Sequence, residues 1–326
     1  MADSPSTPPR PYLDFEQPIA DVEQRIAKMR AHAEAENLNL GTELVPLQEK
    51  LEKLQDEIYS NLTRWQRYQM ARHPQRPHAR DCIDFLLTDF VELHGDRAYG
   101  DDPAIIGGFG KLGQQSVLII GQQKGRNTKE NIHRNMGLAH PEGYRKALRL
   151  MKLAAKFGKP VITLIDSPGA YPGIGSEERS VAEAIARNLF EISRLPIPIV
   201  VVVLGEGGSG GALGIGIGDR ILMMENAWYS VINPESCSLI LWRTRDKRTE
   251  AAEALRITAP DLLELGIIDE IIPEPLGGAH RDWDTSLRSL RNSVTSAIDN
   301  LVATPPSRLL DERMKKFDAM GKWDET

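Results

Sequence analysis

The residues best suited to chemistry lie in 197–219, IPIVVVVLGEGGSGGALGIGIGD. Six consecutive apolar residues, 199–204, run into a stretch in which eight of the fourteen residues 205–218 are glycine. The apolar run is β-branched and does not alternate, the pattern of a strand buried on both faces. Each glycine costs roughly 1 kcal/mol against alanine inside a helix, so 210–218 is a poor helix on propensity alone. Such a run is tolerated where backbone must approach something closely or present main-chain amides to a ligand. A strand that enters a helix through glycine leaves unpaired N–H groups and a positive dipole end beyond the sheet. The chemistry this predicts is binding of an anion, or stabilisation of an oxyanion as it develops.

Three other readings of the same stretch stay open on the residues alone. Gly205, Gly207 and Gly210 fit the dinucleotide pattern G-x-G-x-x-G, with Glu225 twenty residues after the first glycine. Gly207, Ser209 and Gly211 fit G-x-S-x-G, the turn that carries the nucleophile of serine hydrolases. A glycine helix packed tightly with no ligand is the third. The phosphate loop is excluded, because Gly-Lys-Ser/Thr occurs nowhere in the chain.

The rest of the sequence must position these residues. Its 326 residues allow two domains, or one large one with appendages. With 41% hydrophobic and 26% charged residues it has the composition of a globular protein. A net charge of −6 gives no global attraction to nucleic acid or anionic membrane. Cys82 and Cys237 stand alone and far apart, which excludes a four-cysteine zinc site and suits a reducing compartment. The first residues lack a basic-then-apolar signal pattern, and no apolar run reaches about 18 residues. A cytoplasmic protein is expected.

Residues 1–11 are rich in Pro, Ser and Thr and read as a disordered tail. Residues 12–77 read as a helical segment. Val22, Ile26 and Met29 fall at helical spacing, and after a break at Gly41 the stripe Leu44, Leu47, Leu51, Leu54, Ile58, Leu62, Trp65 predicts one helix of about six turns. A stripe that long must lie against the first helix or another subunit. HPQRPHARD (73–81) reads as a linker. From 78 to 326 the character is α/β. A hairpin is predicted from 104–109 and 116–121 around Gly113, followed by a polar loop, 121–134, with Lys124, Arg126, Lys129 and Arg134. That loop reads as solvated, or alternatively as a surface for a phosphate-bearing ligand. A helix at 144–156 buries Ala147, Leu148, Met151 and Ala155; VITLID (161–166) is a second buried strand, ending in SPGAYPGIGSEER (167–179). Glu177 and Glu178 suit the start of a helix that continues through Val181, Ile185, Leu189 and Ile192. Strand, glycine turn and helix thus occur at 161–193 and again at 199–218, which favours a parallel α/β sheet with ligands beyond the carboxyl ends of its strands. A third strand is expected at 220–225, a helix at 249–265, a short strand within 265–275, and terminal helices at 284–303 and 307–319.

Long blocks of this sequence resemble one family. GEGGSGGALGIG (205–216), IDSPGAYPGIGSEER (165–179), PEGYRKALRLM (141–151), ARHPQRP (71–77), HGDRAYGDD (94–102) and IIPEPLGGAHR (271–281) are similar to the carboxyltransferase alpha subunit of bacterial-type acetyl-CoA carboxylase. The similarity runs from LDFEQPIA (13–20) to His280. It implies the crotonase-like (ClpP/crotonase) fold of repeated ββα units, with an N-terminal helical segment and C-terminal helices. It implies a carboxyl group moved from N-carboxybiotin, held on the biotin carboxyl carrier protein, to acetyl-CoA, giving malonyl-CoA for fatty acid synthesis. Partners implied are a beta subunit with a zinc ribbon, in an α2β2 assembly, and the biotin carboxylase that recharges the carrier; no metal is expected in this chain. By position, Gly210 and Gly211, preceded by Gly207 and Gly208, should form the hole for the biotin carbonyl. Ser167, Pro168, Gly169 and Ala170 should line the same cleft, and a branched side chain at Gly211 should crowd the space biotin enters.

Two alternatives remain. A serine hydrolase using Ser209 needs a histidine later in the chain, and only His280 follows. His94, His133 and His140 read as structural or surface residues. A non-catalytic subunit that docks a partner through its long helix is the other.

Overall fold

The structure, a computed structural model, describes residues 11–36 and 41–321. Most of the expected tail and the break before Gly41 lie outside the described residues. Two helices, α1 (Gln17–Glu36) and α2 (Gly41–Ser60), pack side by side, so the long stripe lies against the first helix. Ile19, Tyr59 and Met70 bury the seam, with Leu51, Leu54 and Ile58 packed around them. The single helix expected through Trp65 is two. It stops at Ser60 and restarts as α3 (Arg64–Ala71), where the Thr63 hydroxyl accepts from the Gln66 N–H and the Gln66 side chain returns to the Thr63 N–H. That reciprocal cap satisfies two orphan donors and fixes the new start.

The expected linker at 73–81 is anchored by buried side chains. His73, Arg76 and His78 are each at most 5% exposed. The Arg76 guanidinium forks onto Glu274 at 2.7 and 2.8 Å and donates to the Leu204 carbonyl at 2.8 Å, tying this segment to the central strand. The segment runs into α4 (Ala79–Leu86).

The core is an eight-stranded sheet. Strands β1 (Thr88–Glu92), β2 (Ile105–Leu112) and β3 (Gln115–Gln122) are antiparallel; β2 and β3 form the predicted hairpin around Gly113. After a short helix, α5 (Thr128–His133), and α6 (Pro141–Lys156), strand β4 (Val161–Ser167) pairs parallel with β3. Helices α7 (Ile174–Glu178) and α8 (Val181–Ile192) lead to β5 (Ile199–Gly208), parallel to β4 and buried along all ten residues. The helix expected to run on from Glu177 breaks at Ser180, whose φ is +65°. Next come α9 (Ser209–Leu213), β6 (Arg220–Met224), β7 (Trp228–Ser230), α10 (Pro234–Trp242), α11 (Arg248–Leu255), α12 (Ala259–Glu264), β8 (Glu270–Ile272), α13 (Trp283–Val302) and α14 (Pro306–Asp318). The helix expected at 249–265 is two, parted at Arg256 with φ +50°. The sheet order is β1-β2-β3-β4-β5-β6-β8. The far end of β5 departs from β6 and takes β7 as its partner, Glu206 to Gly208 facing Trp228 to Ser230. So β5 projects beyond the sheet, and its glycines lie at that projecting carboxyl end.

Candidate active site

The carboxyl ends of β4 and β5 meet. Ser167 pairs with Gly207, one residue from each glycine turn. On the β5 side the chain leaves the strand at Gly208 and enters α9 within one residue, Ser209, at φ +55°. A non-glycine residue in that region is strained by about 1–3 kcal/mol, and such strain gathers where a fold forces an abrupt change of direction. The amides of Ser209, Gly210 and Gly211 form the first turn of α9, so they have no carbonyl one turn back to bond. The helix is only five residues long, as its glycine content predicts.

On the β4 side, the turn closes on itself. The Ser167 hydroxyl donates to the Gly169 carbonyl at 2.6 Å and accepts from the Gly169 N–H at 3.2 Å. Ser167 is fully buried, so it shapes this turn from within. Pro168 and Ala170 are half-buried and Gly169 is buried. The two turns press together so closely that side chains are forbidden between them. A Cβ on Gly208 would lie 2.1 Å from the Pro168 oxygen, and one on Gly211 would lie 2.2 Å from the Gly169 carbonyl carbon. The space beside Gly211 is therefore filled by the neighbouring turn, which corrects the expectation that a side chain there would meet biotin. A Cβ on Gly207 would meet the Tyr229 ring at 2.7 Å, whereas one on Gly210 would meet only Ile185, at 3.8 Å. All eight expected site residues thus come together at the ends of two adjacent strands, and Gly210 alone of the four β5-side glycines has room at its α-carbon.

The groups beneath these turns come from segments distant in the chain. Lys124, in the loop read as solvated or as a surface for a phosphate-bearing ligand, reaches inward and donates to Asp166 and Glu206, both at 2.6 Å. Arg126 pairs with Asp81 and Arg134 donates to the Pro103 carbonyl at 2.7 Å, so these cations serve the protein itself. Glu206 also faces Arg72 at 3.1 Å. Gln122, fully buried, donates to the Gly211 carbonyl at 2.8 Å and accepts from the Asp166 N–H at 3.1 Å. The Tyr144 hydroxyl donates to the same Gly211 carbonyl at 3.2 Å.

Beside Ser209 opens a cavity of about 570 Å³. Leu189, Leu213, Ile217, Val231, Leu262 and Phe317 make it largely apolar, with Ser209, Tyr229, Ser230 and Arg256 as its polar points. No histidine or carboxylate among the described residues lines it. His280 is instead stacked on His73 at a ring separation of 3.7 Å. His140 hydrogen-bonds the buried Ser176 hydroxyl at 2.8 Å and packs its ring at a tilt against Tyr171, a structural role in the 167–179 loop. A hydrolase elbow thus has its serine but no base facing the same cavity. Among the described residues, no cluster of histidine, cysteine or carboxylate side chains could hold a metal ion. Nor is any described helix long and apolar enough to cross a membrane.

The fold itself is shared with solved structures. The 12S core of transcarboxylase, solved with methylmalonyl-coenzyme A and methylmalonic acid, superposes with a TM-score of 0.58 at 20% identity over 70% of this chain; the match spans 42% of the transcarboxylase chain. A Pseudomonas malonate decarboxylase hetero-tetramer, in complex with coenzyme A, superposes with a TM-score of 0.55 at 14% identity, over 66% of this chain and 86% of that one. The fold is crotonase-like α/β, of the kind used by carboxyltransferases. Sequence similarity narrows the class. Residues 12–321 match the model of the acetyl co-enzyme A carboxylase carboxyltransferase-like family. The acetyl-coenzyme A carboxylase carboxyl transferase subunit alpha of Chlorobaculum parvum is 54% identical over 327 residues, 96% of this chain and 97% of the relative. The Coxiella burnetii subunit of the same name is 55% identical over 311 residues, 95% of this chain and 98% of the relative. The chain belongs to the acetyl-CoA carboxylase carboxyltransferase family, among its alpha subunits.

Proposed function

We propose that this chain is the alpha half of an acetyl-CoA carboxylase carboxyltransferase, moving a carboxyl group from N-carboxybiotin on a carrier protein to acetyl-CoA. The product would be malonyl-CoA, used in fatty acid synthesis in the cytoplasm. The beta subunit implied by the naming of the relatives would complete the site, in an α2β2 heterotetramer. Residues 12–77 would form a helical segment of their own beside the carboxyltransferase domain, 78–326.

The observation that carries this reading is the first turn of α9, where the Ser209, Gly210 and Gly211 amides lie outside the helical ladder at the end of β5. Loss of CO2 from carboxybiotin places negative charge on a ureido oxygen; biotin discharges it by taking a methyl proton of acetyl-CoA, and the enolate so formed adds to the CO2. Amides held at that oxygen stabilise the charge where it develops, an effect typically worth about 3–4 kcal/mol for each well-aimed donor. Because the donors are part of the backbone, they do not reorganise as the charge forms. The neighbouring cavity suits an uncharged fused ring: its walls are apolar, and Ser209, Tyr229 and Ser230 supply the few polar contacts such a ring needs to be oriented. Gly207 and Gly208 let β5 approach Tyr229 and the Pro168 carbonyl, so that the 167–170 turn packs directly against the β5 glycines.

The test is to co-express the chain with the beta subunit encoded by the same organism and follow malonyl-CoA decarboxylation in the presence of free biotin. Turnover by the complex supports the reading. A complex that assembles but turns over nothing, or hydrolyses simple esters through Ser209, overturns it.

A further inference from the structure

The two turns of the candidate site are held from one place, the end of β3. Gln122 and Lys124 lie on the same short segment and reach both strands that carry the turns. Gln122 spans from the Asp166 N–H (3.1 Å) to the Gly211 carbonyl (2.8 Å). Lys124 spans from Asp166 Oδ1 to Glu206 Oε2, both at 2.6 Å. Asp166 immediately precedes Ser167, and Glu206 immediately precedes Gly207. Asp166 Oδ1 also accepts the Glu206 N–H at 3.0 Å, which closes the ring of contacts across β4 and β5. These two strands pair in register up to Ile165 and Val203, then slip before Ser167 and Gly207. The clamp sits at that slip, where the regular ladder of strand hydrogen bonds no longer sets the spacing.

We propose that Gln122 and Lys124 are positioning residues for the carboxyltransferase reaction, fixing the two glycine turns at the separation the oxyanion requires. The inference rests on the function proposed above. Neither side chain need touch substrate; they act through the peptides they hold. The ammonium is well suited to this. Burial alone would lower the Lys124 pKa, but the two carboxylates outweigh it and the net shift is upward, so the bridge stays charged. Burial likewise works to raise the Asp166 pKa, and Lys124 reverses it. Removing the ammonium leaves Glu206 with Arg72 but takes from the buried Asp166 carboxylate its cationic partner, so Asp166 must take up a proton or move toward water.

The experiment uses the full chain assembled with its beta subunit. Lys124→Met is expected to lower kcat about a hundredfold, the usual result of misplacing catalytic groups by about one ångström. KM for acyl-CoA should stay within about threefold, because the clamp holds the turns and not the coenzyme. Lys124→Arg, which restores a cation, should recover at least about a tenth of the lost rate constant. If Lys124→Met fails to assemble, Gln122→Met carries the test, since it keeps the volume and removes both hydrogen bonds; the same split is expected. An assembled variant with wild-type kcat, or a loss of kcat/KM lying wholly in KM, overturns the proposal. Amide hydrogen exchange at 207–212 gives a readout apart from turnover. Faster exchange in the variants is expected, and unchanged exchange refutes the clamp even if the wild-type complex transfers no carboxyl group, an outcome that would refute the proposed function instead.

Discussion

Adding one methyl group to Gly211 should damage this site, while adding it to the adjacent Gly210 should not unsettle the fold. At Gly211 the new Cβ would lie 2.2 Å from the Gly169 carbonyl carbon and 2.5 Å from the Ala170 nitrogen, both backbone atoms. To restore an ordinary contact of 3.4 Å, the two turns must part by about 1.2 Å. Neither can do so freely, because Ser167 closes one turn and Gln122 and Tyr144 hold the Gly211 carbonyl of the other. Overpacking of this kind costs about 1–3 kcal/mol. A shift of about one ångström in amides aimed at a developing charge costs about a hundredfold in rate. At Gly210 the Cβ would sit 3.8 Å from Ile185, an ordinary contact, and alanine is the better helix former. The assay is thermal melting of each variant chain together with carboxyl transfer by the assembled complex. Gly211→Ala should melt lower and lose most of its rate; Gly210→Ala should melt at or above the wild-type temperature. A Gly211→Ala variant with both melting temperature and rate intact would refute the argument that these turns are in contact.

Ser209→Ala separates main-chain from side-chain chemistry: alanine keeps the N–H, so kcat of the complex should fall less than about tenfold, whereas a nucleophile would be lost altogether. Acid should weaken the fold through carboxylates that are paired in it. Burial works to raise the pKa of Asp261, but the Arg64 fork and Thr258 outweigh it and hold the carboxyl at about 2, against an ordinary 3.8. The folded value lies below the unfolded one, so this stability is present above the ordinary value and is lost as pH falls from there through about 2. Asp261→Asn should therefore melt below wild type near neutral pH, with the gap closing as the pH approaches 2; a gap independent of pH contradicts the pairing.

Strong local patterns were legible in the sequence. The non-alternating runs 161–166 and 199–204 are β4 and β5, and the glycines that follow them mark the junctions where the candidate site lies. The terminal helices end within a residue or two of where their periodicity stops. What escaped depends on contacts distant in sequence. Strand β7 is three residues long and exists because β5 outruns β6 and needs a partner. Edge strand β1, TDFVE, offers too short an alternation to stand out. The breaks at Ser180 and Arg256 fall on residues with positive φ that are neither glycine nor proline, so composition does not announce them. The break at Thr63 did carry a signal, the Thr-x-x-Gln of a reciprocal cap, overlooked beneath the leucine stripe. Lys124 was visible as one charge in a basic loop; its partners lie 42 and 82 residues away, and only the fold brings them to it.

On the proposed function, this chain supplies backbone oxyanion stabilisation to a carboxyl transfer that needs a second subunit. The direct measurement is transfer of isotopically labelled carboxyl from carboxylated carrier protein to acetyl-CoA, made with the purified chain, with the beta subunit, and with both. Labelled malonyl-CoA is expected from the complex and none from either component alone. Full transfer by the chain alone, or by the beta subunit alone, would contradict it.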